Sequence, residues 1–366
     1  MTTLALPAPV RVDVLDVGQG SCAIIRTAHG VTVIDGGARR EYAVRTDPVT
    51  WLREHGITRI DDLILTHLHR DHVQGLLALA RVVPVSRAHL PYPQIAEPPM
   101  SDDWRARFRP DAHVDSPDGQ IQSLREFAEL TRILSDGGTT LLPFSPESDP
   151  VIWETPGPFG LRLERLYPVA GDALETPALV AALSEVTPER ARTSAGTASI
   201  EALIHEISER ANAESGVFVL RHGGSRVSPE PTAGPAGTSE TFDRPGGAAR
   251  SPERSDRSGG AIIFAGDHAG ERSHWDDIRA RDHDGVLHDA LWLLPHHGGD
   301  DGPTPEWFAE LEPRALLASA NTDHARLNAD YWARLRAVTG VAVRGTHNTD
   351  PVLMENTGSE IALMFG

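Results

Sequence analysis

The chain is poor in cysteine and in long apolar runs. Cys22 is its single cysteine, so no intramolecular disulfide can form. We interpret Cys22, which lies in an apolar strand-like run, as a small core residue rather than a nucleophile. No window approaches eighteen uninterrupted apolar residues, so we expect no transmembrane helix and no membrane partner. Residues 1–9 lack the basic and apolar segments of a signal peptide, and we therefore expect a cytoplasmic location.

Basic residues are also scarce, and they are unevenly distributed. Thirty-four basic residues stand against 52 acidic ones, for a formal net charge of −18, which disfavours broad electrostatic attraction to nucleic acid. One stretch, 81–109, is nevertheless basic and contains Arg81, Arg87, Arg105, Arg107 and Arg109. This stretch is either an ordinary solvated face or a contact surface for a polyanion, and the solvated face is the simpler interpretation.

Short apolar segments alternate with helical patterns along the 366 residues. Alternating and β-branched residues predict strands over 10–17, 21–26, 31–35, 60–66, 160–166, 216–221, 261–265, 291–294 and 315–319. Helical apolar spacing predicts helices over 43–55, 73–80, 123–134, 188–211 and 327–338. Strands and helices in alternation indicate a layered α/β enzyme, whose site residues follow the strands.

Two stretches depart from this regular alternation. Residues 223–260 are rich in Pro, Gly, Ser, Glu and Arg and have almost no large apolar side chains. We predict that they form a disordered insertion between two strands of one hairpin, because they cannot bury enough apolar surface to become ordered. For residues 97–210 we predict an inserted lid or a wall of the substrate site.

The segment 66–72 carries the strongest chemical signal in the chain. It places His67, His69, Asp71 and His72 directly after an apolar run, and imidazole nitrogens and carboxylate oxygens are the ligands that zinc accepts. On an extended segment His67 and His69 point to the same side. Asp71 and His72 follow where the chain turns into a helix, and they can face a second metal. A histidine-rich surface turn is the alternative, but such turns favour Gly, Asn, Pro and Ser.

The ordered motifs of the chain resemble the metallo-β-lactamase superfamily. The motifs are Asp16-Val17-Gly18-Gln19-Gly20, Val33-Ile34-Asp35-Gly36-Gly37, Thr66-His67-Leu68-His69-Arg70-Asp71-His72, Phe264-Ala265-Gly266-Asp267 and Leu294-Pro295-His296-His297-Gly298-Gly299. The first and the last resemble the hydrolase domain of the ComEC/Rec2 competence proteins and its free-standing relatives. The resemblance implies a single αββα sandwich of the metallo-β-lactamase type over residues 1–366, with a large central insertion.

The resemblance also implies a set of metal ligands. His67 and His69 would bind one ion, Asp71 and His72 a second, and Asp267 would bridge the two. By itself, an aspartate beside Gly266 is an ordinary turn residue; the ordered set of motifs favours the ligand. Asp35 would orient ligands rather than bind metal, which is compatible with a turn-capping role.

Three further histidines remain open in their roles. Of His296 and His297, one would bind metal while the other contacts substrate or acts as a general acid, and the sequence does not distinguish them. His324 is either a last metal histidine or an exposed loop residue.

His268, next to Asp267, is expected to be an exposed neighbour. Relatives often carry another ligand between His72 and Asp267, but His89, His113 and His205 stand in no persuasive context.

These expectations describe a metal-dependent hydrolase that uses a metal-bound hydroxide. The cofactor would be one or two Zn²⁺ ions, with Mn²⁺ as an alternative. Asp71 would orient the nucleophile, and His296 or His297 would protonate the leaving group. The first hypothesis is a nuclease or phosphodiesterase, acting on nucleic acid or a small phosphodiester. The second is hydrolysis of a lactone, thioester or amide. The third is a regulatory or scaffold partner in a multi-protein system.

Overall fold

A computed structural model describes residues 10–27, 30–38, 46–95, 117–156, 160–172, 174–186, 189, 193–223, 260–270, 273–346, 352–356 and 361–364. Their strands form two sheets. The first sheet contains β1 (Arg11–Val14), β2 (Ala23–Thr27), β3 (Gly30–Ile34), β4 (Ile60–Ile64), β5 (Val85–Leu90), β6 (Thr140–Pro143), β14 (Val352–Asn356) and β15 (Ile361–Met364). Their order is β15-β14-β1-β2-β3-β4-β5-β6. Strands β3 to β6 are parallel, so the ends of β3, β4 and β5 meet at one edge.

The second sheet has the order β13-β12-β11-β10-β9-β8-β7. Its strands are β7 (Val151–Glu154), β8 (Gly160–Tyr167), β9 (Val217–Gly223), β10 (Ile262–Phe264), β11 (Leu291–Leu293), β12 (Ala315–Ala318) and β13 (Val343–Gly345). Strands β10 to β13 are parallel. Strand β9 pairs antiparallel with β10, with Leu220 opposite Ile262. The predicted insertion 223–260 connects these two paired strands, and residues 224–259 lie outside the described part of the chain.

The helices lie on the outer faces of the two sheets. They are α1 (Pro48–Glu54), α2 (Arg70–Ala80), α3 (Pro117–Asp136), α4 (Thr176–Ser184), α5 (Ser194–Ala213), α6 (Trp275–Arg281), α7 (Pro305–Leu311), α8 (Thr322–Leu327) and α9 (Ala329–Thr339). One apolar core packs α1 to α5 on the first sheet, a second lies between the sheets, and a third packs α6, α7 and α9 on the second sheet. This helix–sheet–sheet–helix layering confirms the predicted fold class.

Most predicted elements are present with shifted ends. Helix α1 begins at Pro48, with the Asp47 side chain accepting a hydrogen bond from the Thr50 amide. The helix predicted over 327–338 is present as α9, and α8, which was not predicted, precedes it and meets it at Asn328. Within the predicted insertion 97–210, β6 extends the first sheet and β7 and β8 belong to the second. No helix among the described residues is long and apolar enough to cross a bilayer.

Candidate metal centre

The segment 66–72 delivers its polar side chains at the edge where β4 ends. His69 has an extended backbone and is the residue that precedes α2, so Asp71 and His72 lie in the first helical turn. The predicted turn into a helix at this point is confirmed, although α2 begins at Arg70 rather than at residue 73. His67, His69, Asp71 and His72 are all buried. Buried polar side chains require partners, and these four find them in one cluster.

Close backbone packing holds this segment against the two loops that follow β1 and β3. A Cβ built on Gly20 would lie 1.9 Å from the Asp71 carbonyl oxygen, and one built on Gly75 would lie 1.7 Å from that of Gly36. Glycine is therefore required for the approach at both positions. The Gly36 amide donates to the His72 carbonyl, which ties the loop after β3 to the start of α2.

Four buried side chains, contributed by three separate segments, form the first ligand group. Asp71, His72, Asp267 and His297 offer ligand atoms that all lie within 4.8 Å of one another. The His297 Nε2 atom lies 3.2 Å from Asp71 Oδ2 and 3.3 Å from Asp267 Oδ2. The His72 Nε2 atom lies 3.2 Å from the same Asp267 oxygen. We call this set the four-ligand group.

A second group shares Asp267 with the first. His67, His69 and Asp267 also place their ligand atoms within 4.8 Å of one another, and His67 Nε2 lies 3.7 Å from Asp267 Oδ2. We call this set the three-ligand group. Asp267 thus lies between the two pairs of histidines, the arrangement that would let one carboxylate bridge two ions.

The Asp35 carboxylate orients one histidine in each ligand group, His72 directly and His67 through Thr66. It accepts hydrogen bonds from the Thr66 amide, from Thr66 Oγ1 and from His72 Nδ1, each at 2.8 Å. Because Thr66 Oγ1 gives its proton to Asp35, it can only accept at its 3.1 Å contact with His67 Nδ1. Both His67 and His72 therefore carry a proton on Nδ1 and turn Nε2 toward Asp267. This agrees with the orienting role expected for Asp35.

Ser215 is a site residue that our sequence analysis missed. Its buried hydroxyl accepts a hydrogen bond from the Asp267 amide at 3.0 Å and lies 3.3 Å from His67 Nδ1. The neighbouring Gly216 amide donates to the Thr66 carbonyl, so the start of β9 is tied to the segment 66–72. A lone serine directly before an apolar strand was the available signal, but it is too common to single out.

The chemistry of these donors fits divalent metal ions. Within the described part of the chain, the buried Nε2 atoms of His67 and His72 and the buried Oδ1 atoms of Asp71 and Asp267 make no hydrogen bond. Four buried polar atoms without a hydrogen bond in one cluster destabilise the fold unless a further group binds to them. Imidazole and carboxylate ligands at this spacing suit Zn²⁺ or a similar ion.

The close packing of two carboxylates and four imidazoles shifts the pKa values of the ligands. Burial alone would raise the pKa of Asp71 and of Asp267, but the adjacent histidines hold both below their usual range. Burial lowers the pKa of His297, yet Asp267 and Asp71 outweigh it and raise that pKa to about 9. Burial and the neighbouring His72 hold the pKa of His67 well below its ordinary value. A bound cation would replace the protons that now balance the carboxylates.

The structure distinguishes His297 from His296, which the sequence did not. His297 is in the four-ligand group, whereas His296 is in neither group. Instead, His296 Nδ1 contacts both carboxylate oxygens of Asp301, at 2.9 and 2.7 Å, and its side chain is 30% exposed. His296 and His297 both have positive φ angles, 46° and 57°. Non-glycine residues rarely adopt this conformation, and at functional sites it is held by the surrounding structure.

His324 was predicted as a metal ligand, but it belongs to neither group. Its ring lies 5.9 Å from that of His297 and 6.5 Å from that of His296, measured between centroids. Burial and the neighbouring His297 lower the pKa of His324 to about 4. His324 therefore borders the four-ligand group as a neutral imidazole.

The expectation that His268 is exposed is wrong. His268 is fully buried, accepts a hydrogen bond from the His274 amide through Nε2, and packs against Tyr167 and Trp275. Burial and the nearby His274 lower its pKa to about 3. Its neighbour Asp267 turns toward the metal ligands, while His268 turns into the core beneath the second sheet.

Other histidines between His72 and Asp267 do not supply a ligand from the described residues. His89 donates from Nε2 to Asp62 at 2.9 Å and is in neither group, and His205 is exposed on α5. His113 lies outside the described residues. Cys22 is buried, as expected of a core residue, and burial raises the pKa of its thiol.

The predicted basic stretch is only partly described. Arg81 pairs with Glu129, and Arg87 makes two hydrogen bonds to Asp62. Arg105, Arg107 and Arg109 lie outside the described residues. The two described arginines are thus neutralised within the protein, which favours the solvated-face interpretation for that part.

The sequence of residues 15–182 matches the profile of the family described as "Metallo-beta-lactamase superfamily". The match covers less than half of the chain, and together with the four-layered fold it supports a metallo-β-lactamase superfamily domain that includes residues 15–182. Proteins of this family are generally hydrolases and typically bind divalent metal ions. No curated protein matches the sequence.

Several solved structures are distantly similar to this chain. Zn²⁺-bound PqqB from Methylobacterium extorquens is 11% identical, with a TM-score of 0.39 over 92% of this chain and 87% of its own. CmlA, a diiron β-hydroxylase from Streptomyces venezuelae, is 13% identical, with a TM-score of 0.40 over 93% and 52%. The hydrolase AbOPH is 13% identical, with a TM-score of 0.27, and the match covers 39% of this chain and 51%, about half, of AbOPH. The family match, rather than these distant likenesses, identifies the domain.

Proposed function

We propose that the chain is a metal-dependent hydrolase of phosphodiesters, with His67, His69, Asp71, His72, Asp267 and His297 as its metal ligands. The observation that carries the proposal is the pair of buried ligand groups that share Asp267. Zn²⁺ is the favoured ion because imidazoles dominate the ligand set, and Mn²⁺ is the alternative. Ions held there would lower the pKa of a water molecule toward about 7 and stabilise negative charge that develops on the substrate.

Asp71 and His296 would have further roles in the reaction. Asp71 Oδ1 is buried without a hydrogen bond from the described residues and would accept one from the attacking water, which orients it. His296 would donate a proton from Nε2 to the leaving group. Its partial exposure and its Asp301 contact, which holds the ring through Nδ1 and does not involve Nε2, support that role.

We also propose that part of residues 97–210 forms a wall of the substrate site. Helix α5 packs over His69, with Ser208 Oγ 3.3 Å from His69 Nε2. Helix α3 packs against α2, which carries Asp71 and His72. The segment therefore borders the metal ligands at His69 and at the helix that carries Asp71 and His72.

The preference for phosphodiesters rests on the resemblance to the ComEC/Rec2 hydrolase branch. The net charge of −18 and the internal pairing of Arg81 and Arg87 favour a small phosphodiester over long nucleic acid. The same acidic character is compatible with the second candidate, hydrolysis of a lactone, thioester or amide. A regulatory or scaffold role is the third, and the two buried ligand groups argue against it.

A substrate panel tests the proposal. Metal-loaded protein would be incubated with bis(p-nitrophenyl) phosphate, plasmid and single-stranded DNA, RNA, and chromogenic esters and lactones, with Zn²⁺ or Mn²⁺. We expect phosphodiester cleavage that is lost when Asp71 and His72 are both replaced by alanine, and that persists in the exposed control His205→Ala. Cleavage of esters or lactones alone would favour the second candidate. Loaded protein that is silent on every substrate, or a fully active double variant, would refute hydrolysis at this site.

A further inference from the structure

We infer that the two ligand groups bind their ions unequally: the four-ligand group fills first, and the three-ligand group holds its ion more weakly. This inference rests on the metal-dependent function proposed above and concerns the order of filling rather than the reaction. Three features of the described residues support it.

The first feature is the number and charge of the ligands. The four-ligand group offers two carboxylates and two imidazoles, all buried, whereas the three-ligand group offers two imidazoles and only the shared Asp267. Because Coulomb attraction grows with ligand charge and is strong where water is excluded, the group with two carboxylates attracts a divalent cation more strongly. The ion that enters first also takes the larger share of the Asp267 charge.

The second feature is the hydrogen-bond partner at the Nδ1 atom of one ligating histidine in each group. His72 Nδ1 contacts the Asp35 carboxylate at 2.8 Å, and a carboxylate in this position raises the basicity of a ligating imidazole. His67 Nδ1 faces only hydroxyl oxygens, those of Thr66 at 3.1 Å and Ser215 at 3.3 Å. Neutral hydroxyls fix the orientation of His67 without the same electrostatic support.

The third feature is the side of the three-ligand group that faces α5. There the almost fully buried Ser208 hydroxyl lies 3.3 Å from His69 Nε2. His89 is bound to Asp62 and His205 is exposed, so neither of these imidazoles belongs to the three-ligand group. A hydroxyl is a weaker ligand for zinc than an imidazole, so Ser208 adds little affinity.

Equilibrium dialysis of the metal-free full chain against buffered Zn²⁺, read by elemental analysis, tests the order. We expect two steps separated by at least about tenfold. His69→Ala should remove the weaker step and retain the tighter one, and His297→Ala should weaken the tighter step by about 100-fold or more. The control His205→Ala should leave both steps unchanged.

Conservative variants distinguish the loss of a metal ligand from misfolding of the chain. His69→Gln and His297→Gln should repeat the pattern, and circular dichroism of the metal-free variants should match that of the parent chain. A single ion that His297→Ala releases and His69→Ala spares would also support the inference. Two equal steps would overturn it, as would loss of the tight ion in His69→Ala with retention in His297→Ala.

The outcome is separable from the proposed hydrolysis. Two equal steps together with phosphodiester turnover would overturn the order of filling and leave the function standing. Unequal steps of the expected kind without any turnover would support the order of filling and count against the function.

Discussion

Replacing Asp35 with asparagine should weaken metal binding without a change in any ligand. The variant keeps the oxygen that accepts from the Thr66 amide but places an NH₂ group opposite Thr66 Oγ1 and His72 Nδ1, both at 2.8 Å. His72 then loses its acceptor, and nothing fixes its proton on Nδ1. Loss of hydrogen bonds to a charged acceptor costs about 1.5–3 kcal/mol, and loss of an outer partner of a ligating histidine lowers metal affinity by about 10–100-fold.

A chelator competition titration with Zn²⁺ measures this effect, and urea unfolding of the metal-free chain measures its effect on stability. Asp13→Asn is the matched control, because Asp13 is an equally buried carboxylate that binds Arg11 and Arg26 and is in neither ligand group. The control should lose stability and keep its Zn²⁺ affinity. Unchanged Zn²⁺ affinity in Asp35→Asn, or an equal loss in both variants, would refute the orienting role of Asp35.

Three further predictions concern packing, pH and metal removal. Gly75→Ala should destabilise the fold by about 3 kcal/mol or more in thermal unfolding, because its Cβ would meet the Gly36 carbonyl; Gly138→Ala, with positive φ but open space, should cost only about 1 kcal/mol. Because the pKa of His268 is lowered to about 3 from 6.5, the unfolded chain takes up its proton first, so stability should fall by about 2 kcal/mol between pH 6.5 and pH 5. Urea unfolding at both pH values should show a smaller fall in His268→Gln, and an equal fall would contradict the assignment. Chelation should lower the melting temperature of loaded protein, since ions at about 1,000 times Kd stabilise the native state by about 4 kcal/mol; an unchanged melting temperature would contradict metal binding.

The parts of the site that lie close together in sequence were predictable. His67, His69, Asp71 and His72 follow one buried strand within six positions, so local geometry alone brings them together. Asp267 also follows a short buried strand, and the resemblance of the ordered motifs supplied its link to the other ligands. The alternation of strands and helices was sufficient for the layered fold.

The remaining details depend on contacts between distant segments. The choice of His297 over His296 depends on two consecutive positive φ angles, which no local pattern revealed. The burial of His268 depends on Tyr167, which reaches it from β8 about a hundred positions earlier in the chain. Ser215 acquires its role only because β9 is hydrogen-bonded to the segment that carries His67.

The central claim is that side chains from three segments hold two ions on either side of Asp267. Anomalous diffraction at the zinc edge, from crystals grown with Zn²⁺, tests it most directly. We expect two peaks about 3.5–4 Å apart, one contacted by Asp71, His72 and His297 and the other by His67 and His69, with Asp267 contacting both. Saturated crystals without an anomalous peak within bonding distance of Asp267 would contradict the claim.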